Sequence, residues 1–483
     1  MITFIISILL LLSGYFFYSR LVERIFVIDP KKATPATSMA DGVDYLVLPG
    51  WKIFLIQFLN IAGLGPIFGA VAGAMWGPVA FLWIALGSVL AGGVHDYFSG
   101  MLSLRHNGKS ISEIAGMYLG TGVKQFMRAF TVILLVMVGA VFLVGPARIL
   151  ADMTSGYVDF GFWVATIFGY YILSTILPID KVIGKVYPVF GFALLFMAAG
   201  ILVMMFWNGL AVPELTISNL FSNQHERAGS FPVFPMLFIT IACGAISGFH
   251  ATQSPLMARC MSNERQGRAI FYGTMITEGI VAMIWAAISM CFFGGVGELN
   301  GVMASNGGNA ALVVNEICIT LLGTVGGALA LLGVVAAPIT SGDTAFRGAR
   351  LIVADFTKIK QGPFRNRLLI AAPLFLCGYL LTLIDFGIIW RYFAWTNQTL
   401  ATIVLWTITV WLIRESKAYW IALVPAVFMT SVVVSYILVA PEGFNLPAPL
   451  SQGIGAATGL IFLLATLWHI RSVSWKMKPR MQS

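Results

Sequence analysis

Residues 58–66 read FLNIAGLGP, and residues 238–250 read FITIACGAISGFH. Both stretches lie inside long apolar runs and begin with the same pattern, Phe-x-x-Ile-Ala. Gly65 and Pro66 in succession interrupt a helix, because glycine is flexible and proline lacks a backbone N–H group. Gly244 and Gly248 in the second stretch, and Pro255 five residues beyond it, are expected to act in the same way. The sequence therefore predicts two interrupted helices within apolar segments.

The overall composition is that of a membrane protein. The 483 residues are 59% hydrophobic and 10% charged, whereas soluble proteins carry about 25% charged residues. The formal net charge of +9 is spread over short clusters between apolar runs. A basic face for nucleic acid would concentrate it on one surface instead. We therefore expect an all-α polytopic membrane protein that contacts the lipid bilayer and no nucleic acid.

Thirteen apolar runs are long enough for helical spans at about 20 residues per crossing. They cover residues 2–18, 50–74, 78–104, 127–151, 160–178, 186–208, 233–257, 268–293, 310–340, 368–385, 388–413, 418–440 and 450–470. No basic region precedes the first run, and no small-residue cleavage site follows it. We interpret this run as a retained helix and not as a secretory signal.

The distribution of basic residues predicts the orientation. With the first helix entering from outside, the inner segments hold 26 of the 29 lysines and arginines, all except Arg148, Arg227 and Arg391. Cytoplasmic loops of membrane proteins carry this excess of positive charge. We therefore expect a bacterial inner-membrane protein with its N-terminus outside and its C-terminus in the cytoplasm.

The spacing of the interrupted helices predicts an inverted repeat. Four unbroken spans separate them, so each would open a five-helix unit, and an odd number of crossings inverts the second unit. The expected organisation is one transmembrane domain, 1–483, with an extra helix and cytoplasmic loop in 1–49, repeats in 50–208 and 233–413, and two helices with a cytoplasmic tail in 418–483. Matching interruptions indicate a substrate site at the membrane midplane. The alternative is a pair of packing kinks with a chance sequence match.

Ionisable residues inside spans are costly and need a partner, a cavity or a function. His95 and Asp96 in the third span are candidates for a proton relay, or for a structural cap near the cytoplasmic end. His250 lies at the second interruption, and histidine titrates nearest physiological pH. We therefore regard His250 as the leading candidate for proton coupling, with Asp96 and Asp343 as alternatives.

Other polar residues in the spans have structural interpretations. Asp343 follows Thr340 and Ser341 at the inner end of the ninth span, and Arg347 lies four residues further on, at the spacing of a helical ion pair. Hydrogen bonds to neighbouring helices, more than a role in lining a path, are expected for Glu278, Asn397 and Gln398.

Cysteines and histidines give no sign of a metal or cofactor site. No CxxC spacing occurs among Cys243, Cys260, Cys291, Cys318 and Cys377, and packing is their expected role. The five histidines are scattered, which disfavours a haem protein or a membrane enzyme. We expect no metal, no cofactor and no enzymatic activity.

Several of these stretches resemble the carbon starvation protein A family of bacterial transporters. They are residues 63–73, 92–98 and 238–250, Asn397 with Gln398, and the loop residues Asp29, Pro30, Thr34, Pro35, Asp41, Gly42, Asp44 and Tyr45. The better-known members of this family are considerably longer than 483 residues. The resemblance implies uptake of pyruvate, peptides or related small carbon sources with the proton gradient. It also implies a core similar to the leucine-transporter-like fold with a five-plus-five inverted repeat.

The resemblance also implies positions for the sites. The expected substrate-binding residues are Asn60, Gly63, Gly65, Pro66, Ser247, Gly248, Phe249, His250 and Gln253. The family fold often places coupling-ion groups at the positions of Thr340, Ser341 and Asp343, and these join His250, His95 and Asp96 as candidates for ion or proton coupling.

The resulting hypothesis is a proton symporter for a small monocarboxylate. The helix that resumes after Pro66 would hold the carboxylate with free N–H groups and its positive end, without any arginine. A peptide or an amino acid also presents a carboxylate, so both stay alternatives, as does a channel. Sodium is an alternative to the proton as the coupling ion.

Overall fold

The computed structural model describes residues 1–41, 45–176, 179–361 and 363–477. These residues form helices joined by short loops, and they contain no β-strand. The principal helices are α1 Ile2–Phe26, α2 Gly50–Ala62, α3 Gly65–Trp76, α4 Val79–Arg105, α5 Ile111–Leu119, α6 Thr121–Met153, α7 Phe160–Ile176, α8 Ile179–Trp207, α9 Val233–Thr240, α10 Gly248–Ala258, α11 Glu264–Phe292, α12 Val296–Ser305, α13 Ala310–Thr357, α14 Phe364–Leu381, α15 Phe386–Arg414, α16 Trp420–Val439 and α17 Ala448–Met477. The protein is all-α, as the sequence predicts.

Nine helices in the described part of the chain are long and apolar enough to cross a membrane. Two further pairs, α2 with α3 and α12 with the start of α13, pass the same test as bent pairs. The chain is therefore a polytopic membrane protein. The count of thirteen spans, the division into repeats and the inverted symmetry stay predictions.

The structure contains both interruptions. Helices α2 and α3 meet at an angle of 53°, and Gly63 between them has a φ of 39°. Helices α9 and α10 are separated by the non-helical residues 241–247, where Gly244 has a φ of 117°. Both glycines occupy the left-handed region, which side chains disfavour. Glycine therefore shapes each interruption.

The expected helix 310–340 is wrong in its boundaries. Helix α13 bends at Gly323, whose φ is 69°, and its first part makes an angle of 119° with α12. Beyond the bend it continues to Thr357. The hydropathy falls near Thr340 because polar residues follow, but these residues are buried between helices. Asp343 therefore lies in the interior of a long helix and not at its inner end.

Small residues allow close packing between helices, as is common in membranes. A Cβ atom on Gly139 of α6 would overlap the ring of Phe346 on α13. Two wide π-helical turns, Gly65–Gly69 at the start of α3 and Gly87–Gly92 within α4, lie near the second interruption. Such turns are rare and often mark functional sites.

Candidate functional site

The two interruptions contact each other at the centre of the fold. A Cβ atom on Gly65 would overlap Cys243 Cβ, and one on Gly69 would lie 2.9 Å from the carbonyl oxygen of Thr240. The chain therefore approaches itself closely at these glycines. Protein packing therefore leaves no room for a side chain at either glycine.

Helix α4 holds the non-helical residues 241–247 in place. The indole Nε1 of Trp83 donates to the carbonyl of Ile241 at 2.9 Å, and Ser88 Oγ donates to the carbonyl of Gly244 at 2.8 Å. Buried backbone carbonyls without helical partners need such donors. Side chains of α4 therefore stabilise the non-helical conformation of residues 241–247.

Asn397 of α15 caps the helix that follows this interruption. Its Oδ1 accepts from the backbone N–H of Phe249 at 2.7 Å, and its Nδ2 donates to Ser247 Oγ at 2.9 Å. A Cβ on Gly248 would lie 2.6 Å from the backbone nitrogen of Ala401. Asn397 thus contacts a neighbouring helix, as expected. Its side chain occupies the N-terminus of α10, where an anion would otherwise find donors.

Four titratable side chains form one chain of contacts across α4, α10 and α11. His95 Nδ1 lies 2.7 Å from Asp96 Oδ1, and Asp96 Oδ2 lies 2.8 Å from His250 Nδ1. His250 Nε2 forms an ion pair with Glu278 Oε2 at 3.3 Å. All four side chains are fully buried. We call His95, Asp96, His250 and Glu278 the buried relay.

The sequence identifies three members of the buried relay but not their connection. His250 lies in the first turn of α10, just beyond the interruption. Glu278, which we interpreted as hydrogen-bonding to a neighbouring helix, pairs with the far nitrogen of His250. The signal that could have identified it is a carboxylate in the apolar helix α11, because such a residue inside a membrane marks a site by default.

The two ends of the buried relay are open. Among the residues described, His95 Nε2 and both Glu278 oxygens have no hydrogen-bond partner. Burying a charge costs several kcal/mol unless it is paired. The relay holds two carboxylates against two imidazoles, so protons can move along it while opposite charges stay adjacent.

The amides of Gln57 and Asn60 are a second unusual feature. They lie one turn apart on α2, just before the first interruption, and are almost completely buried. Within the described part of the chain, neither amide has a hydrogen-bond partner for its nitrogen or its oxygen. Buried polar atoms are nearly always paired. Asn60 is among the residues expected to contact substrate, whereas Gln57 is not.

The predicted N-terminal anion site of α3 has few donors left. The N–H groups of Ile67 and Phe68 both donate to the carbonyl of Leu64, at 3.2 and 2.8 Å, and Pro66 has no N–H group. The amides of Gln57 and Asn60 are thus better placed as donors than this helix end.

The predicted ion-coupling residues of α13 fall into two groups. Ser341 Oγ donates to the carbonyl of Leu59 at 3.0 Å, which ties α13 to the end of α2. Thr340 Oγ1 donates within its own helix. Asp343 accepts from Ser174, and Arg347 donates to the carbonyl of Ser174 at 2.7 Å. Of these residues, Ser341 is the one whose hydrogen bond reaches a helix end at an interruption.

An open cavity of about 480 Å³ lies on the predicted outer side of the two interruptions. Its lining includes Phe68 of α3, Thr240 of α9 and Trp390 of α15. Arg227 and Arg391, two of the three arginines predicted to face outwards, also line it. None of the predicted substrate-binding residues lines this cavity. All of them are buried within the protein.

The opposite side is closed by polar contacts. Arg105 at the end of α4 donates twice to the carboxylate of Glu264, at 3.0 Å each, and once to the carbonyl of Val27. Glu264 also accepts from the backbone N–H of Asp29 at 2.7 Å. Trp76 lines the cavity and precedes α4, so the cavity and this contact lie at opposite ends of that helix.

Comparison with known proteins gives matches along most of the chain. The family described as Carbon starvation protein CstA matches residues 1–172, 157–331 and 308–436. An uncharacterized membrane protein of Haemophilus influenzae is 42% identical over 344 residues, which cover 61% of this chain and 91% of that protein.

Several relatives carry names that state a function, and two of them serve as examples. The peptide transporter CstA of Campylobacter jejuni is 28% identical over 340 residues, 58% of this chain and 48% of that protein. The pyruvate/proton symporter BtsT of Escherichia coli is 27% identical over 347 residues, 58% and 47% of the two chains. The matches to these two relatives therefore span about half of their length.

Among solved structures, a mutant of the Eremococcus coleocola manganese transporter matches with a TM-score of 0.49 and 12% identity, covering 90% of this chain and 99% of that one.

The family match extends through both interruptions and all four residues of the buried relay. The chain belongs to the carbon starvation protein CstA family.

Proposed function

We propose that this protein is a secondary transporter that imports a small carboxylate, of the size of pyruvate, together with protons. The buried relay carries the proposal, because it joins four titratable groups at the second interruption. The names of the relatives CstA and BtsT support transport as the general activity. Proton coupling and the carboxylate substrate are inferences from the chemistry of the site.

The coupling step follows from the position of His250 between Asp96 and Glu278. A protonated imidazole would pair with both carboxylates, whereas a neutral one would leave a net negative charge near the interruptions. A substrate anion therefore binds more readily when the relay holds its proton. By linkage, bound substrate strengthens proton binding to the same extent.

The substrate site lies beneath the outer cavity, between the interruptions. The amides of Gln57 and Asn60 supply nitrogen donors for a carboxylate and oxygen acceptors for a second polar group. Rocking of one set of helices against the other would close the outer cavity and separate Arg105 from Glu264. The substrate and the proton would then leave on the inner side.

Peptide import is the second candidate, since several relatives are named peptide transporters. The paired donors and acceptors of Gln57 and Asn60 also suit a peptide group. Counterflow in proteoliposomes separates the two candidates. Vesicles loaded with unlabelled pyruvate should take up labelled pyruvate transiently above its external concentration if the carboxylate is the substrate. Vesicles loaded with a dipeptide should take up the labelled dipeptide in the same way if the substrate is a peptide.

We also propose that the protein lies in the bacterial inner membrane with its N-terminus outside and its C-terminus in the cytoplasm. The basic residues at the Arg105 end of α4 support this orientation. Reporter fusions should place the loop 209–230 outside and the loop 358–363 inside. The reverse result for either loop would contradict the orientation.

The decisive experiment uses His250→Gln in proteoliposomes. We expect the variant to lose accumulation of substrate driven by a pH gradient, while exchange of substrate down its own gradient persists in part. His106→Gln, at the predicted cytoplasmic end of α4, is the matched control and should accumulate normally. Continued accumulation by His250→Gln would exclude His250 as the coupling residue. Accumulation driven by sodium alone would indicate the α13 hydroxyls instead.

A further inference from the structure

Three potential metal ligands converge at the second interruption. The ligand atoms of Cys243, His250 and Glu278 all lie within 4.8 Å of one another, and all three residues are buried. They come from the non-helical residues 241–247, the first turn of α10 and the middle of α11. A thiol, an imidazole and a carboxylate are the ligand types that zinc uses in proteins.

The geometry is close to that of a zinc site. Bond lengths of about 2.0 to 2.3 Å to a tetrahedral ion separate its ligand atoms by roughly 3.3 to 3.8 Å. His250 Nε2 and Glu278 Oε2 already lie 3.3 Å apart. The remaining separations, at most 4.8 Å, need only small side-chain movements. Three protein ligands leave the fourth position open for water or a substrate oxygen.

The surroundings of His250 are those of a metal ligand. Asp96 Oδ2 lies 2.8 Å from Nδ1 and fixes the ring so that Nε2 points towards Glu278. Histidines that bind metals usually have a carboxylate at their other nitrogen in this way. In addition, both oxygens of the buried Glu278 are without hydrogen-bond donors among the described residues. A buried carboxylate that accepts no hydrogen bond from a described residue, and whose one ion pair is with the imidazole of the same cluster, points to a cation.

We propose that Cys243, His250 and Glu278 form a binding site for a thiol-seeking divalent cation, of which zinc fits the ligands best. A metal is not expected from the sequence, because Glu278 lies far from the other two ligands along the chain. Binding releases the proton of the Cys243 thiol, so acid weakens it. On the proposed function, an ion on His250 Nε2 also blocks the buried relay, and zinc inhibits proton-driven transport.

Cobalt provides a direct test, because a thiolate bound to Co²⁺ gives a near-ultraviolet charge-transfer band. The band should appear in the purified full-length protein, saturate at about one equivalent per chain, and disappear when zinc is added. Cys243→Ser should abolish it. Cys318→Ser, which alters a buried thiol on α13, should keep it. Absence of the band in the unaltered protein, or its persistence in Cys243→Ser, would overturn the proposal.

X-ray absorption of the zinc-loaded, unaltered protein gives a test that does not depend on folding of a variant. One sulfur among otherwise nitrogen and oxygen ligands is expected, and coordination without sulfur would overturn the site. Uptake separates this proposal from the proposed function. A normal cobalt band together with uptake that zinc does not inhibit would support the metal site and contradict the proton relay.

Discussion

Among individual side chains, His225 has an environment that predicts a dependence on pH. The ring stacks between Trp76 and Phe231, with centroid distances of 4.5 and 5.0 Å, and its Nδ1 accepts from the backbone N–H of Arg227. Burial, with a smaller contribution from Arg227, lowers the pKa of His225 to about 4. The folded loop therefore favours the neutral imidazole.

We expect the loop around His225 to be most stable above pH 6.5, the usual pKa of histidine, and to lose stability as the pH falls towards 4. The loss of stability should be on the order of 1–2 kcal/mol. This is less than the free energy that corresponds to the whole pKa shift of His225, because the loop borders solvent. Hydrogen exchange of residues 223–231 measures this loss. In His225→Gln, the exchange rate of residues 223–231, corrected for the intrinsic pH dependence of exchange, should stay constant between pH 6.5 and pH 4. Constant protection in the unaltered protein would contradict the prediction.

Between helices, the contact of Gly65 with Cys243 predicts the effect of a single methyl group. Gly65→Ala would force apart α3 and the residues before α10, and overpacking of this kind costs about 1–3 kcal/mol. The apparent Tm in detergent should fall. Gly301→Ala is the matched control, because a Cβ at Gly301 meets no atom within 4 Å. Adding Cys243→Gly should recover part of the loss, and failure to recover any would argue against this contact as the cause.

The interruptions could be predicted from glycine and proline in apolar segments, whereas the contacts between helices could not. Gly65 and Pro66 mark the start of α3 after the first interruption, although the same pair at Gly145 and Pro146 lies inside the unbroken helix α6. Gly323 was missed because a single glycine in a glycine-rich helix gives no such signal. His250 could be selected as an ionisable residue in an apolar segment. The contact of His250 with Glu278 depends on how α10 packs against α11. This packing cannot be predicted from the sequence of either helix alone.

Across the whole molecule, the contact of Arg105 with Glu264 predicts how the inner side opens. Glu264→Gln removes the charge that holds the partly buried guanidinium, and losing one partner of such a pair is destabilising. The inward-open population should rise. With Cys377 replaced by serine, Cys260 should react faster with a permeant maleimide in Glu264→Gln. Glu298→Gln, remote from this contact, is the control. An unchanged rate would mean that the ion pair does not act as the inner gate.

The volume of the outer cavity also determines how much water the proposed transport cycle would release. At about 30 Å³ per molecule, its volume of about 480 Å³ corresponds to roughly ten to twenty waters. The proposed closure would return these waters to the bulk, so the equilibrium between the open and closed states would depend on the activity of water. An impermeant osmolyte outside the cell, too large to enter the cavity, would favour the closed state in proportion to the volume expelled. Osmotic stress would thus act on the transport cycle without contacting any residue of the site.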